Sequence, residues 1–256
     1  MKLGFFGFGN MAQAMLKGLL LTKALSPEEI GATALHKDKL RKNCEAFGIK
    51  AYDEAAALAE DSEVFVIAVK PYQLDELLPP LLPQLKDKCI INVAAGKTFR
   101  DIEALLPGTR HISTGPNLAM AVGEGIMALE NKHSLQEDDL HFIRETFGKS
   151  ALLEFVDTDL LGISGSLSGC GPAFTAMYAE ALADAGVKHG LKRDAAKRLT
   201  AQMLLGSAKL LQGTYEPSEL KDKVCSPGGT TIRGVSALEK AAFRGAVIGA
   251  LDAVEG

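Results

Sequence analysis

Near its start the chain places an apolar run, Leu3–Phe6, directly before Gly7-Phe8-Gly9-Asn10-Met11-Ala12, which leads into an amphipathic segment reaching Leu21. A strand that becomes a helix within so few residues needs backbone freedom at the turn and a small side chain where helix meets strand. Gly7, Gly9 and Ala12 meet that need at the spacing GxGxxA. The first glycine permits the tight turn, the second lets the backbone approach a pyrophosphate, and the third small residue lets helix and strand pack closely. Amide N–H groups at the helix start then face the phosphates. Between a strand and a helix this spacing is specific. It predicts a βαβ unit that cradles a dinucleotide, with Gly7, Phe8, Gly9, Asn10 and Met11 as contacts.

The alternation continues beyond this unit. Strand-like runs at Ile30–Leu35, Val64–Val69, Ile90–Val93 and His111–Thr114 alternate with helical patterns at Met11–Leu21 and Lys37–Phe47, and with a proline-interrupted segment, Tyr72–Leu85. Gly125–Leu129 and Ala151–Val156 are apolar runs able to extend the sheet. This order implies a parallel sheet covered by helices. After about Asp157 helical periodicity takes over, at Ala173–Lys188, Asp194–Leu211 and Ile232–Val254. Several of these segments are apolar on more than one side, which predicts packing against a second copy. The fold class is therefore α/β: a Rossmann-like doubly wound sheet over residues 1–156, then an all-α substrate-binding and dimerisation domain over 157–256.

Other strand ends point to the same crevice, because ligands of open α/β sheets bind at the carboxyl edge. Ala68-Val69-Lys70-Pro71 ends one buried run, and Lys70 is suited to a ribose or phosphate. Ala94-Ala95-Gly96 ends another, with small residues suited to a flat nicotinamide. The second strand is followed by His36-Lys37-Asp38-Lys39, a mainly cationic cluster that suits a 2′-phosphate and favours NADP(H) over NAD(H).

Several function classes are disfavoured. The chain has 256 residues, a formal net charge of −4 and no long run of like charge, so nothing favours nucleic acid. No apolar run approaches membrane-spanning length, no export signal is evident, and Cys44, Cys89, Cys170 and Cys225 are too scattered for a metal or redox motif. The expectation is a cytoplasmic protein with free thiols. His36, His111, His133, His141 and His189 show no zinc spacing. Ser166 and Ser168 lack the preceding strand of a nucleophile elbow. No metal is expected, and the cofactor carries the reaction.

Two glycine-bearing stretches stand in the helical half, Ser166–Phe174 (SLSGCGPAF) and Ser226–Thr231 (SPGGTT). Each reads as a small-residue turn opening a helix, whose amides and positive dipole end suit a carboxylate. Helix capping explains Ser226 and Pro227. It does not explain Gly228 and Gly229 within a first turn, where glycine costs about 1 kcal/mol relative to alanine.

The stretches GFGNMA, AVKP, SGCGPAF and above all VCSPGGTTIRGVSALE resemble, in order and spacing from Leu3 to about Ala253, the Δ1-pyrroline-5-carboxylate reductase family. The resemblance implies NAD(P)H-dependent reduction of a cyclic imine, pyrroline-5-carboxylate, to L-proline by a homodimer or a larger ring of dimers. It places Ser226, Gly228, Gly229, Thr230 and Thr231 at the substrate, with Thr231 at the ring nitrogen as the catalytic residue. Gly115-Pro116-Asn117 falls in the wall near the nicotinamide, with Asn117 among the cofactor contacts. The chain departs from the family's usual pattern at Cys170, where serine is common, and at Gly115, where methionine is common. A β-hydroxyacid dehydrogenase shares the opening motif, but its helical lysine and asparagine have no counterpart in PAFTAMYAEALADAGVKHG. A non-catalytic NADP-binding protein is the other alternative, and it leaves SPGGTT without a ligand.

Overall fold

The structure is a computed structural model describing all residues, Met1–Gly256. Its eight strands are β1 (Leu3–Phe6), β2 (Ile30–Thr33), β3 (Lys50–Ala51), β4 (Val64–Ile67), β5 (Cys89–Asn92), β6 (Arg110–Pro116), β7 (Gly125–Glu130) and β8 (Ala151–Val156). They form one sheet in the order β3-β2-β1-β4-β5-β6-β7-β8. The strands from β3 to β6 are parallel, β7 is antiparallel to β6, and β8 is parallel to β7. The order reverses at β1, between β2 and β4, which is where such a sheet opens a crevice.

Every residue of β1, β2, β4 and β5 is buried, and the period of two divides them between two apolar layers. Leu3, Phe5, Val66 and Ile91 pack with α1 (Asn10–Leu21), α2 (Lys37–Phe47) and, farther along the chain, Ile143 and Phe147. Phe6, Phe65, Ile67 and Ile90 pack on the other side with α3 (Ala55–Asp61), α4 (Leu74–Leu77), α5 (Leu82–Leu85) and α6 (Phe99–Leu105). Both faces being covered is what the continuous apolar runs required. Pro71 and Pro79 each open a 3-10 turn and break the Tyr72–Leu85 pattern into short pieces. Helix α7 (Glu137–Thr146) connects β7 to β8.

The remaining helices are α8 (Leu161–Lys188), α9 (Arg193–Gly213), α10 (Pro217–Val224), α11 (Thr230–Lys240) and α12 (Phe243–Glu255). Two expectations fail here. Ser166–Phe174 is not a turn before a helix but lies inside α8, which begins at Leu161 and carries Pro172 in its interior. The helical pattern Ile232–Val254 is two helices, broken where Ala242 adopts a left-handed φ of 54°. Such a conformation disfavours continuation of a right-handed helix. Helix α10 has a clear proline start at Pro217 and was not anticipated. The chain divides into two compact units, Met1–Gly169 and Cys170–Gly256.

Candidate active site

In the first unit β1 ends at Phe6 and turns at Gly7, whose φ is +88°. A Cβ at this position would stand 2.6 Å from the Ala68 carbonyl oxygen, so only glycine lets β1 turn over the end of β4. The Gly7 N–H donates to the Thr33 carbonyl at 2.8 Å, and Gln13 Nε2 donates to the Phe8 carbonyl at 3.1 Å. Phe8 turns its ring inward, edge-on to Phe47. It can therefore meet a ligand through its backbone alone. Gly9 is the N-cap of α1 and offers no capping side chain. A Cβ on Gly9 would meet nothing within 4 Å. Nothing in the chain itself requires glycine there, and the open space leaves the orphan amides of α1 accessible to a phosphate. Asn10 is exposed and Met11 rests partly buried against the core. The loop fits a dinucleotide.

His36 caps α2 without a side-chain bond, while Lys37 Nζ donates to the Asp53 carbonyl. Arg41, one turn after Lys37, pairs with Asp53 at 2.8 Å and lies 3.8 Å from Asp38. Arg41 went unread in the sequence. Its signal is the i,i+4 spacing from Lys37 on one helix face. At the end of β4 the Ala68 N–H still pairs with the Phe6 carbonyl at 2.7 Å. Val69 is partly buried, and Lys70 is exposed where Pro71 opens a 3-10 turn. Beyond β5, Ala94 donates its N–H to Asn92 Oδ1 at 3.0 Å, while Asn92 Nδ2 reaches the Lys97 carbonyl at 3.2 Å and Ser113 Oγ at 3.1 Å. This fully buried carboxamide fixes the turn through Ala94 and Gly96. A polar residue ending an apolar strand was the available clue.

Asn117 follows β6 and is also buried, with its carboxamide turned into the protein. Its backbone N–H and carbonyl are engaged by Ile126 and Met120, so one proton of its amide is what remains for a ligand. Nearby, His111 is buried and stacked on Phe99 at 4.5 Å between centroids. Burial holds its pKa below the ordinary 6.5, against the opposing hydrogen bonds and the Glu103 carboxylate. Glu130 is buried too and accepts hydrogen bonds from the Phe99 N–H and Thr158 Oγ1, each at 2.6 Å. Burial raises the Cys44 thiol to about 11 and pushes Cys89 well above its ordinary value. Both are packing residues rather than nucleophiles.

In the second unit the Gly229 N–H donates to the Ser226 carbonyl at 3.0 Å, and Gly228 has a φ of +70°. Proline second and a left-handed glycine third mark a type II turn. The expectation that Ser226 caps the helix, with Pro227 in its first turn, is thereby overturned. Gly229 is the N-cap and Thr230 the first helical residue. A Cβ on Gly229 would displace the Ser226 hydroxyl, 2.4 Å away, and crowd the Ser226 carbonyl oxygen at 3.1 Å. No side chain caps α11, so its first amides and dipole end remain free for an anion, with Thr230 and Thr231 exposed beside them. The sequence-read candidates thus fall into two groups. One lines the carboxyl edge of the sheet in the first unit, and the other opens α11 in the second. Ser166–Phe174, being helical, offers no free amides.

A family model described as pyrroline-5-carboxylate reductase dimerisation matches residues 158–255. Another, described as NADP oxidoreductase, coenzyme F420-dependent, matches residues 2–96. Over 259 residues the chain is 42% identical to a pyrroline-5-carboxylate reductase of Treponema pallidum, covering 99% of this chain and 98% of that one. The Escherichia coli pyrroline-5-carboxylate reductase is 34% identical, covering 98% of this chain and 94% of its own. A crystal structure of the Plasmodium falciparum pyrroline carboxylate reductase with NADP bound superposes with a TM-score of 0.89 at 28% identity, covering 99% of this chain and 95% of that one.

Proposed function

Because this chain belongs to the pyrroline-5-carboxylate reductase family, we propose that it reduces the cyclic imine of L-1-pyrroline-5-carboxylate to L-proline, the last step of proline biosynthesis. The observation that carries the reading is the start of α11, where a type II turn through Gly228 leaves an uncapped helix end with two exposed threonines. A β-hydroxyacid dehydrogenase or a non-catalytic cofactor binder has no comparable use for that turn.

The substrate is a small ring with one carboxylate and one C=N bond. NADPH, when bound, would supply the hydride for the imine carbon, and the ring nitrogen, already protonated as iminium, becomes a neutral amine. The amides of Gly228, Thr230 and Thr231 bind the carboxylate, helped by the dipole of α11 and by Ser226, while Gly229 closes the turn that presents them. Thr231 Oγ1 hydrogen-bonds the ring nitrogen and orients the imine as it becomes an amine. Holding the ring in one pose contributes several kcal/mol of the barrier reduction, so no strong acid is needed. Gly7, Phe8, Gly9, Asn10 and Met11 hold the pyrophosphate through backbone. His36 and Lys37 favour the 2′-phosphate of NADP(H) over NAD(H), and Ala68, Val69, Lys70, Pro71 and Ala94 line the rest of the cofactor path, with Asn117 in the wall beside it.

Residues 1–156 serve the cofactor, and residues 157–256 serve the substrate and self-association. The chain carries its family's dimerisation region, and its helical unit exposes the apolar surface a homodimer needs. Assembly into a ring of dimers belongs to the same proposal. No helix is long and apolar enough to cross a membrane, and a cytoplasmic location suits the free thiols. The test follows NADPH consumption with L-pyrroline-5-carboxylate and NADH in parallel. Wild type turns over and forms proline, and Thr231→Ala lowers kcat by roughly 10²-fold. Folded, NADPH-binding protein without turnover would overturn the reaction; an unchanged Thr231→Ala would overturn that residue's role alone.

A further inference from the structure

Helix α8 contains Pro172 in its interior. Proline has no N–H, so the carbonyl four residues earlier, that of Ser168, loses its helical donor. Ser168 is 6% exposed, and a buried carbonyl without a partner is costly. Asn117 supplies the donor from outside the helix: its Nδ2 reaches the Ser168 carbonyl at 3.1 Å. The other end of the same carboxamide is also engaged, since Oδ1 accepts the Ile126 N–H at 3.0 Å. The Asn117 N–H in turn donates to the Ile126 carbonyl at 3.0 Å. Beside this bridge, a Cβ on Gly115 would stand 3.6 Å from Gly165 Cα, so the start of α8 runs close along the end of β6.

We infer that Asn117 is a positioning residue matched to Pro172. It fills the hydrogen-bond gap that the proline opens in α8 and so fixes the first turns of that helix, up to Gly169, against the end of β6, at the carboxyl edge where the nicotinamide is proposed to lie. Its side chain serves the reaction by holding this wall. The kinetic consequence rests on the reductase reading, whereas the Asn117–Pro172 pairing does not.

A double-mutant cycle tests the pairing on the full chain. Asn117→Ala should lower kcat by about 10-fold, lower Tm, and leave the Kd for NADPH within about 3-fold, the split expected of positioning rather than cofactor ligation. Pro172→Ala returns an N–H to position 172, which can take the Ser168 carbonyl. In that background Asn117→Ala should cost less, with a coupling of about 5-fold or more in kcat and a matching recovery of Tm. Asn117→Asp keeps the acceptor for Ile126 but offers no donor while ionised. Its activity relative to wild type should therefore rise as pH falls towards the carboxylate pKa.

Should Asn117→Ala fail to fold, recovery of folded protein in the double variant supports the pairing, and absence of recovery overturns it. Additive effects across the cycle also overturn it, as does a loss of about 10-fold or more in NADPH affinity at unchanged kcat. If wild type itself shows no turnover, the reductase reading falls, and the Tm cycle still decides the pairing.

Discussion

In Met1–Gly169 the rings of Phe5, Phe6, Phe65 and Phe147 are all fully buried, whereas in Cys170–Gly256 the buried residues are Ala183, Ala196 and Thr200. Over the same helices Met177 is 71% exposed, Leu199 60% and Ile248 62%. Both units have apolar periodicity. In the first it is consumed by a sheet with helices on both faces; in the second it has no sheet to cover. A helix unit with so little internal core requires a partner surface, and a second copy through the family's dimerisation region supplies it. The difference teaches that the first unit folds around its own core while the second is completed by association.

The sharpest way to break that contrast is to charge the helical surface. Leu199→Glu combined with Ile248→Glu should give a monomer by sedimentation and lower turnover by about 100-fold or more, while NADPH binding by the first unit persists. This follows from the roughly 1.5–3 kcal/mol each apolar side chain contributes when fully buried. A fully active dimer would show that the exposed face is not the association surface.

A second comparison lies within the nucleotide loop. Gly7→Ala must clash with the Ala68 carbonyl and adopt a left-handed φ, so it should lower both Tm and NADPH affinity, by about 1–3 kcal/mol in stability. Gly9→Ala meets nothing in the chain. It should leave Tm of the ligand-free protein within about 2 °C yet weaken NADPH by about 10-fold, since the added methyl enters only the ligand's space. Equal effects on both properties for both variants would show that Gly9 serves the fold.

The smallest effect concerns His111 in the first unit. Burial depresses its folded pKa below the ordinary 6.5, so the unfolded state binds its proton at a higher pH than the folded state. Its contribution is present above about pH 6.5 and is lost as pH falls through the folded pKa. Tm measured from pH 7.5 downward should fall more steeply for wild type than for His111→Gln. Parallel curves would place the acid sensitivity elsewhere.

How much of this was legible varied with the range of the forces involved. Strands β1, β2, β4 and β5 were readable because continuous apolar runs belong to strands covered on both faces, and GxGxxA because a tight turn is local. Their ends were less so: the sequence suggested strands reaching Leu35 and Val69, while the ladder ends at Thr33 and Ile67. The cofactor-side candidates were found as strand-end motifs. Asn92 was missed because a buried asparagine leaves no periodic trace.

Sequence by itself determined the α/β front, the helical back, the nucleotide loop and the SPGG turn residues, since each depends on neighbours a few positions apart. Only the tertiary structure decided that Ser166–Phe174 is helix rather than turn. Glycine and proline there favour a break locally, and the donor that offsets the missing N–H comes from Asn117, 51 residues away from Ser168. Tertiary structure also decided that Gly228 and Gly229 precede α11 instead of weakening its first turn. The same glycines that would destabilise a helix interior are favourable where φ is positive or a Cβ would strike Ser226.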